Sequence, residues 1–267
     1  MTVFEHLGIA DAQPVSGGCI HRCYRATFKG RRVFVKVNAS RLADAFAAEA
    51  DGLAALRAAG CTAPEPLAHG IAGSDAYLLM EFFELKSRGD YAALGRMLAA
   101  THEVHGSEFG WARDNHIGST PQPNGRHENW TQFWRERRLE PQLALAKRNG
   151  YAIDIGDVCD LLDGHDPAPS LLHGDLWGGN AGFLANGAPV LFDPAVYCGD
   201  READLAMTEL FGGFPPQFYA AYGKPPAGYE TRKHLYNLYH LLNHLNLFGG
   251  GYLGQVKATL GLLGRVF

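Results

Sequence analysis

The sequence predicts an α+β fold of two lobes, a small β-rich N-terminal lobe with one main helix followed by a larger, mainly helical C-terminal lobe. Three observations predict it. Strand-like runs around a glycine-containing turn lie between Pro14 and Asn38, an Ala/Leu-rich helical stretch follows them, and helical patterning dominates the second half. At 267 residues the chain can form one large domain or two intimate lobes around a shared cleft, and no Ser/Gly linker separates the halves. We place the N-terminal lobe at 1–85 and the C-terminal lobe at 86–267, together one catalytic unit.

Between Pro14 and Asn38 the run VSGGCIHRCYRATF, the turn KGRR and the run VFVKVN read as a hairpin, because apolar and β-branched residues flank a turn containing glycine. From Ser40 onward, LADAFAAEADGLAALRAAG spaces its apolar residues three and four apart, with Gly60 placed to stop a helix. A Pro-containing loop, APEP, leads to AYLLMEFFEL, an apolar run of strand length that ends the small lobe. Beyond Ser87, YAALGRMLAATHEVHG and NWTQFWRERRLEPQLALAKRNG read as helices, and the Gly, Pro and Asn content of DNHIGSTPQPNG marks a loop between them.

Composition narrows the function. Hydrophobic residues make up 46% and charged residues 19%, as in ordinary soluble proteins. A net charge of −4 without any Lys/Arg-rich run offers no electrostatic footprint for nucleic acid or anionic membrane. The N-terminus MTVFEHLGIADAQ lacks a basic stretch followed by an apolar one, so a cytoplasmic location is expected. Five scattered cysteines without CxxC pairs read as reduced thiols, mostly core fillers. His102 and His105 are three apart, where a zincin helix needs four, which excludes that metalloprotease motif.

The chemistry is concentrated in LLHGDLWGGN, residues 171–180, and PVLFDPA, residues 189–195. Phosphoryl transfer to a hydroxyl needs a carboxylate near the attacking oxygen and oxygen ligands for a magnesium ion that bridges the nucleotide phosphates. Asp175 and Asn180 stand at the kinase catalytic-loop spacing, and Asp193, behind a short apolar run, stands where a kinase carries its magnesium-binding Asp. His-Gly-Asp alone is an ordinary turn and an Asp after a strand is an ordinary cap. Together, in this order, they point to a kinase.

The N-terminal half supplies matching parts. Gly17 and Gly18 could bring backbone N–H groups against phosphate oxygens, or form a plain hairpin turn. Lys36, centred in VFVKVN, needs a partner if its strand is buried and none if the strand is a solvated edge. Glu49 in the following helix is the matching partner, and Met80 and Glu81 are assigned to the nucleotide as well. No GxxxxGK[ST] sequence occurs, and no DFG with an APE following it, which argues against P-loop and protein kinases.

HGDLWGGN, FDPAVYCGDREADLAMTELFGGFP, DNHIGSTPQPN, WTQFWRERRLEPQL and VFVKVN together resemble the fructosamine (ketosamine) 3-kinase family, from Pro14 to the stretch NLYHLLNHLNLFGGG. Aminoglycoside and choline kinases share the HGD, Asn and Asp skeleton but not the Trp or the DPA. The resemblance implies a protein-kinase-like, aminoglycoside phosphotransferase-like fold and transfer of phosphate from ATP, with magnesium, to the sugar O3 of a free or protein-bound ketosamine. It implies Asp175 as catalytic base, Asn180 and Asp193 as magnesium ligands, Lys36 on the phosphates and Glu49 as its anchor. Trp177 resembles the family's sugar-facing aromatic, against the alternative of a core Trp. His173 and Asp204 are expected to brace the catalytic loop, and Cys19, beside Gly17 and Gly18, to make activity redox-sensitive. A phosphate on C3 next to the C2 carbonyl is a good leaving group, so the product can eliminate it and shed its amine, undoing glycation. A monomer or homodimer is expected. The competing readings are another small-molecule kinase of the same fold and a non-catalytic nucleotide-binding scaffold.

Overall fold

The computed structural model describes residues 1–15 and 20–264. A short helix α1 (Val3–Leu7) opens the chain, its first turn closed by a reciprocal pair in which Thr2 Oγ1 accepts from the Glu5 N–H and Glu5 accepts from the Thr2 N–H. Five antiparallel strands follow: β1 (Gln13–Pro14), β2 (Arg22–Phe28), β3 (Arg31–Ala39), β4 (Pro66–Ala72) and β5 (Asp75–Glu81), in spatial order β1-β2-β3-β5-β4. Lys29 and Gly30 join β2 to β3 with φ of 49° and 78°, a left-handed pair whose twist matches that of the flanking strands.

Strand alternation then sorts β3. Val33, Val35 and Val37 point into a cluster with Val3, Ile9 and Leu79, while Phe34 and Lys36 point to the other face. That face is covered by helix α2 (Ala43–Ala58), whose Phe46, Leu53 and Leu56 pack on Leu78 and Met80 of β5. β3 pairs with β2 on one side and β5 on the other, so Lys36 is on a central strand, and the edge-strand alternative falls. The sequence missed β4, because Pro64 just before it and Pro66 and Gly70 within it carry turn signals that pairing with β5 overrides.

The C-terminal part begins with α3 (Tyr91–His102) and four short strands, β6 (Phe109–Trp111), β7 (Asn115–Ile117), β8 (Thr120–Gln122) and β9 (Gly125–His127). Helix α4 (Trp130–Trp134) runs through a π-type turn, Arg135–Leu139, into α5 (Glu140–Arg148). Then come β10 (Ser170–Leu172), the hairpin β11 (Ala181–Phe183) and β12 (Pro189–Leu191), β13 (Tyr197–Gly199), and helices α6 (Glu202–Leu210), α7 (Pro216–Tyr222), α8 (Tyr229–Phe248) and α9 (Leu253–Leu262). Strands β10, β13, β6 and β9 form one sheet in that order, and β7 with β8 forms a hairpin inside the segment the sequence reads as loop.

The lobes share a core. Phe46, Leu53, Leu78 and Met80 from the first belong to the same buried cluster as Leu94, Leu98, Leu171, Leu176 and Leu191 from the second. Apolar packing therefore holds the back of the cleft closed, and the polar residues of the motifs line its front. Among the described residues no helix is long and apolar enough to cross a membrane. Cys23, Cys61, Cys159 and Cys198 are buried and free, and burial pushes each thiol up, which keeps it unreactive. Cys19 lies outside the described residues.

Arg138 is fully buried and ties the C-terminal part together without a carboxylate partner among the described residues. Its guanidinium lies 3.9 Å over the Tyr197 ring and 4.6 Å over Phe133, and donates to the Pro123 carbonyl and Asn124 Oδ1, both at 2.8 Å. Lysine has no planar fork to repeat these contacts, so Arg138→Lys is expected to cost about 2–3 kcal/mol in urea unfolding. A loss below about 0.5 kcal/mol would show that the planar fork is not needed there.

Candidate active site

Lys36 Nζ lies 2.6 Å from Glu49 Oε1 and 2.6 Å from Asp193 Oδ1, which brings together three residues that the sequence separates by up to 157 positions. Lys36 is 5% exposed. Burial alone would lower its pKa, but the Asp193 and Glu49 charges outweigh burial and hold it above the ordinary value. Burial raises the Glu49 carboxyl, and the Lys36 charge opposes the rise. Glu49 reaches the strand because α2 seats tightly on the segment after Asp193. A Cβ on Gly52 would stand 3.1 Å from Val196 and 3.3 Å from Pro194, so a larger residue there would have to push these side chains aside.

The catalytic-loop residues are held through their backbone. Asp204, buried on α6, accepts the His173 N–H at 2.7 Å and the Gly174 N–H at 2.9 Å, and pairs with His102 Nε2 at 3.1 Å. Burial would raise the Asp204 carboxyl, but the His102 hydrogen bond and the neighbouring imidazoles carry it below the ordinary carboxylate value. His173 Nε2 donates to the Phe192 carbonyl at 3.0 Å and Nδ1 accepts the Asp175 N–H at 3.3 Å. Both ring nitrogens are thus occupied, burial pushes the imidazole pKa down, and His173 braces the loop as a neutral ring. Gly174 has φ of 83°, and a Cβ there would come within 2.0 Å of the Ala195 carbonyl oxygen, so no other residue fits.

Asn180 Nδ2 donates to the Asp175 carbonyl at 2.8 Å and to Asp175 Oδ2 at 3.1 Å. Its Oδ1 accepts nothing among the described residues. Asp175 is half-buried, and its carboxyl is pushed up to about 7, first by burial and then by the Asp193 charge, against the Asn180 hydrogen bond. Asp193 takes φ of 55°, unusual for a residue with a side chain and costing about 1–2 kcal/mol, and turns its carboxylate, 47% exposed, toward the cleft. Its Oδ2 accepts nothing among the described residues. The two free oxygens of Asn180 and Asp193 are hard donors of the kind magnesium takes, so the residues present fit that ion.

The hairpin β7–β8 supports this arrangement from the far side. Asn115 Nδ2 donates to the Val196 carbonyl at 2.7 Å, Gln122 Nε2 donates to the Ala195 carbonyl at 3.2 Å, and the Tyr239 hydroxyl donates to Gln122 Oε1 at 2.6 Å. Trp177 is 37% exposed, which rules out the core reading, and its ring meets Phe211 edge-on at a centroid distance of 6.1 Å. Phe211 packs on His244 of α8 at 4.5 Å. His244 Nδ1 lies 2.8 Å from the His240 carbonyl, and burial lowers its pKa, so the neutral ring donates there and keeps Nε2 as an acceptor. Sequence reasoning missed Phe211 and His244. The signal available was only an aromatic after α6 and a His in an Asn-rich helix.

Met80 is buried in the interlobe core, and Glu81 lies 3.7 Å from Arg57 with its N–H on the Glu65 carbonyl. Gly17 and Gly18 lie outside the described residues, as does Cys19. One further cluster, His165, Asp200 and Glu202, has metal-ligating atoms within 4.8 Å of one another. Its carboxylates are already taken, Asp200 by His165 and Tyr236 and Glu202 by both arms of Arg232, so it is a polar core network.

Asp204→Asn keeps the shape of the brace but cannot accept both loop N–H groups as a charge, and is expected to lose about 2–4 kcal/mol of unfolding free energy at pH 7. Because the folded-state pKa lies below the ordinary Asp value, this stabilisation is present above about pH 4 and fades as pH falls through the lower value. The deficit should therefore stay constant from about pH 5 to 8 and shrink only in acid. A deficit under about 0.5 kcal/mol at pH 7 would remove Asp204 from the brace.

Known proteins bear on this site. A probable ketoamine kinase of Synechocystis is 47% identical over 272 aligned residues, covering 97% of this chain and 92% of that protein. A chloroplastic protein-ribulosamine 3-kinase of Arabidopsis thaliana is 41% identical, covering 92% of this chain and 80% of that one. The crystal structure of a fructosamine-3-kinase candidate from Haemophilus somnus superposes with a TM-score of 0.90 at 28% identity, over 98% of this chain and 95% of the other. Residues 2–264 match the fructosamine kinase family, and the chain belongs to it.

Proposed function

We propose that this protein transfers the γ-phosphate of ATP to the O3 hydroxyl of a ketosamine. The observation that carries the reading is the single Lys36 ammonium shared by Glu49 and Asp193 at 2.6 Å each, next to an Asn180 bonded to Asp175. Glu49 and Asp193 fix Lys36 in one geometry, and its remaining N–H serves a phosphate oxygen. Magnesium, when bound, neutralises charge on the phosphate oxygens, and Asn180 Oδ1 and Asp193 are the groups that would hold it. Asp175 accepts the proton of the O3 hydroxyl as the bond from O3 to the γ-phosphorus forms and the bond to the β,γ-bridging oxygen breaks, releasing ADP. A carboxyl pushed up to about 7 is a stronger base than an ordinary Asp and is still about half ionised at neutral pH.

The acceptor lies on the Trp177 side. An exposed indole offers an apolar face to the C–H face of a sugar, and His244 Nε2 adds a hydrogen-bond acceptor for a hydroxyl or an ammonium. In the product, loss of a proton from C1 gives a C1–C2 enol whose electron pair expels the C3 phosphate, and hydrolysis then frees the amine. That sequence reverses glycation.

ADP release across ketosamines, aminoglycosides and choline tests the reading. Turnover with ketosamines alone is expected. Turnover with choline or an aminoglycoside and none with a ketosamine would overturn it. Asp175→Asn should lower kcat by about 10²–10⁴-fold with little change in ATP affinity, whereas Asp193→Ala should also raise the magnesium requirement. More than a tenth of wild-type kcat in Asp175→Asn would contradict the base assignment, on the order of magnitude such a loss carries.

A further inference from the structure

The aromatic contacts that begin at Trp177 continue past the residues phosphoryl transfer needs. His244 meets Phe248 at 5.5 Å and Tyr252 at 5.1 Å, and those two rings meet each other at 6.1 Å. Phe248 closes α8 and is 53% exposed, and Tyr252 leads into α9 half-buried. A lone exposed ring is unremarkable on a protein surface, but a strip of rings in contact, starting two residues from Asp175, is not.

The strip also opens at the cleft. Leu247, the neighbour of Phe248, and Ile20 of the N-terminal lobe both approach the tip of the β7–β8 hairpin. A Cβ on Gly118 would lie 3.1 Å from Leu247 and 3.2 Å from Ile20. The end of α8 therefore sits at the mouth between the lobes. A ketosamine placed with O3 at Asp175 carries its amine on C1, two carbons from C3, so the amine substituent must leave the sugar close to the reacting oxygen. With the sugar on Trp177, the surface next in line is Phe211, His244, Phe248 and Tyr252. The rings carry no net charge that would repel a protonated amine, and they offer stacking faces and apolar edges.

We propose that Phe248 and Tyr252 form a subsite for the amine-borne part of the ketosamine, and that this subsite favours amines carrying an aromatic or extended apolar group. The inference rests on the ketosamine reading above and adds the class of amine to it. Phe248 and Tyr252 touch neither the sugar nor the nucleotide in this arrangement, so they set specificity and leave the phosphoryl step alone.

The test compares kcat/KM for the 1-deoxyfructosyl conjugates of phenethylamine and of ethanolamine. Wild type should favour the phenethylamine conjugate by about tenfold, the scale of one or two ring contacts. Phe248→Ala, which removes a mostly exposed ring, should cut that preference by about fivefold or more and leave the ethanolamine conjugate within about twofold of wild type, with an unchanged melting temperature. Tyr252→Ala should act in the same direction. Equal kcat/KM for the two conjugates in wild type, or a preference that survives both substitutions, overturns the subsite while leaving the ketosamine reading intact. Failure to phosphorylate these conjugates and their 1-deoxyribulosyl counterparts overturns the ketosamine reading and the subsite with it.

Discussion

Lys36 carries its charge in a place where water does not reach, and the rest of the site depends on how that charge is compensated. An unpaired ammonium there would cost several kcal/mol or lose its proton. Two carboxylates at 2.6 Å remove that choice. One of them, Glu49, comes from α2 on the same lobe and the other, Asp193, from the opposite lobe, so the pairing that keeps the lysine charged also ties the lobes across the cleft. Removing one partner from such a set typically costs about 3–5 kcal/mol, which makes the arrangement close to all-or-none.

The carboxylates of Asp175 and Asp193 are placed by backbone geometry that other residues enforce. Asp193 occupies a left-handed conformation that its own side chain disfavours, and Ala195 and Val196 just beyond it are held by the amides of Gln122 and Asn115. The turn bearing Asp175 is pinned by Asp204 through two backbone N–H groups and passes the Ala195 carbonyl at a distance only glycine tolerates. Strain and satisfaction are thus distributed together. A buried hydrogen-bond network over-determines two short loops whose own conformations are unfavourable.

Much of this was legible in the sequence because the chemistry demands short spacings. Asp175 and Asn180 lie five apart on one loop, and the Asn180 amide bonds the Asp175 carboxylate. Lys36 inside an apolar run signalled a buried charge, and α2 with Gly60 behind it signalled the helix that supplies its partner. The strand β4 and the hairpin β7–β8 were not legible, since Pro66, Pro121 and Gly118 read as turns when their pairing partners are unknown. Phe211 and His244 were invisible for another reason. They meet only because α6 and α8 pack side by side, and no local pattern records which face of a long, largely buried helix turns toward the cleft.

The claim on which the account stands is that phosphate goes to O3, and phosphorus NMR of the product reads it directly. With a deoxyfructosyl amine and ATP, the account predicts one new phosphate ester coupled to the single proton on C3, which then decays to inorganic phosphate as free amine accumulates. A persistent ester coupled to the C6 methylene protons, with no amine released, would contradict it.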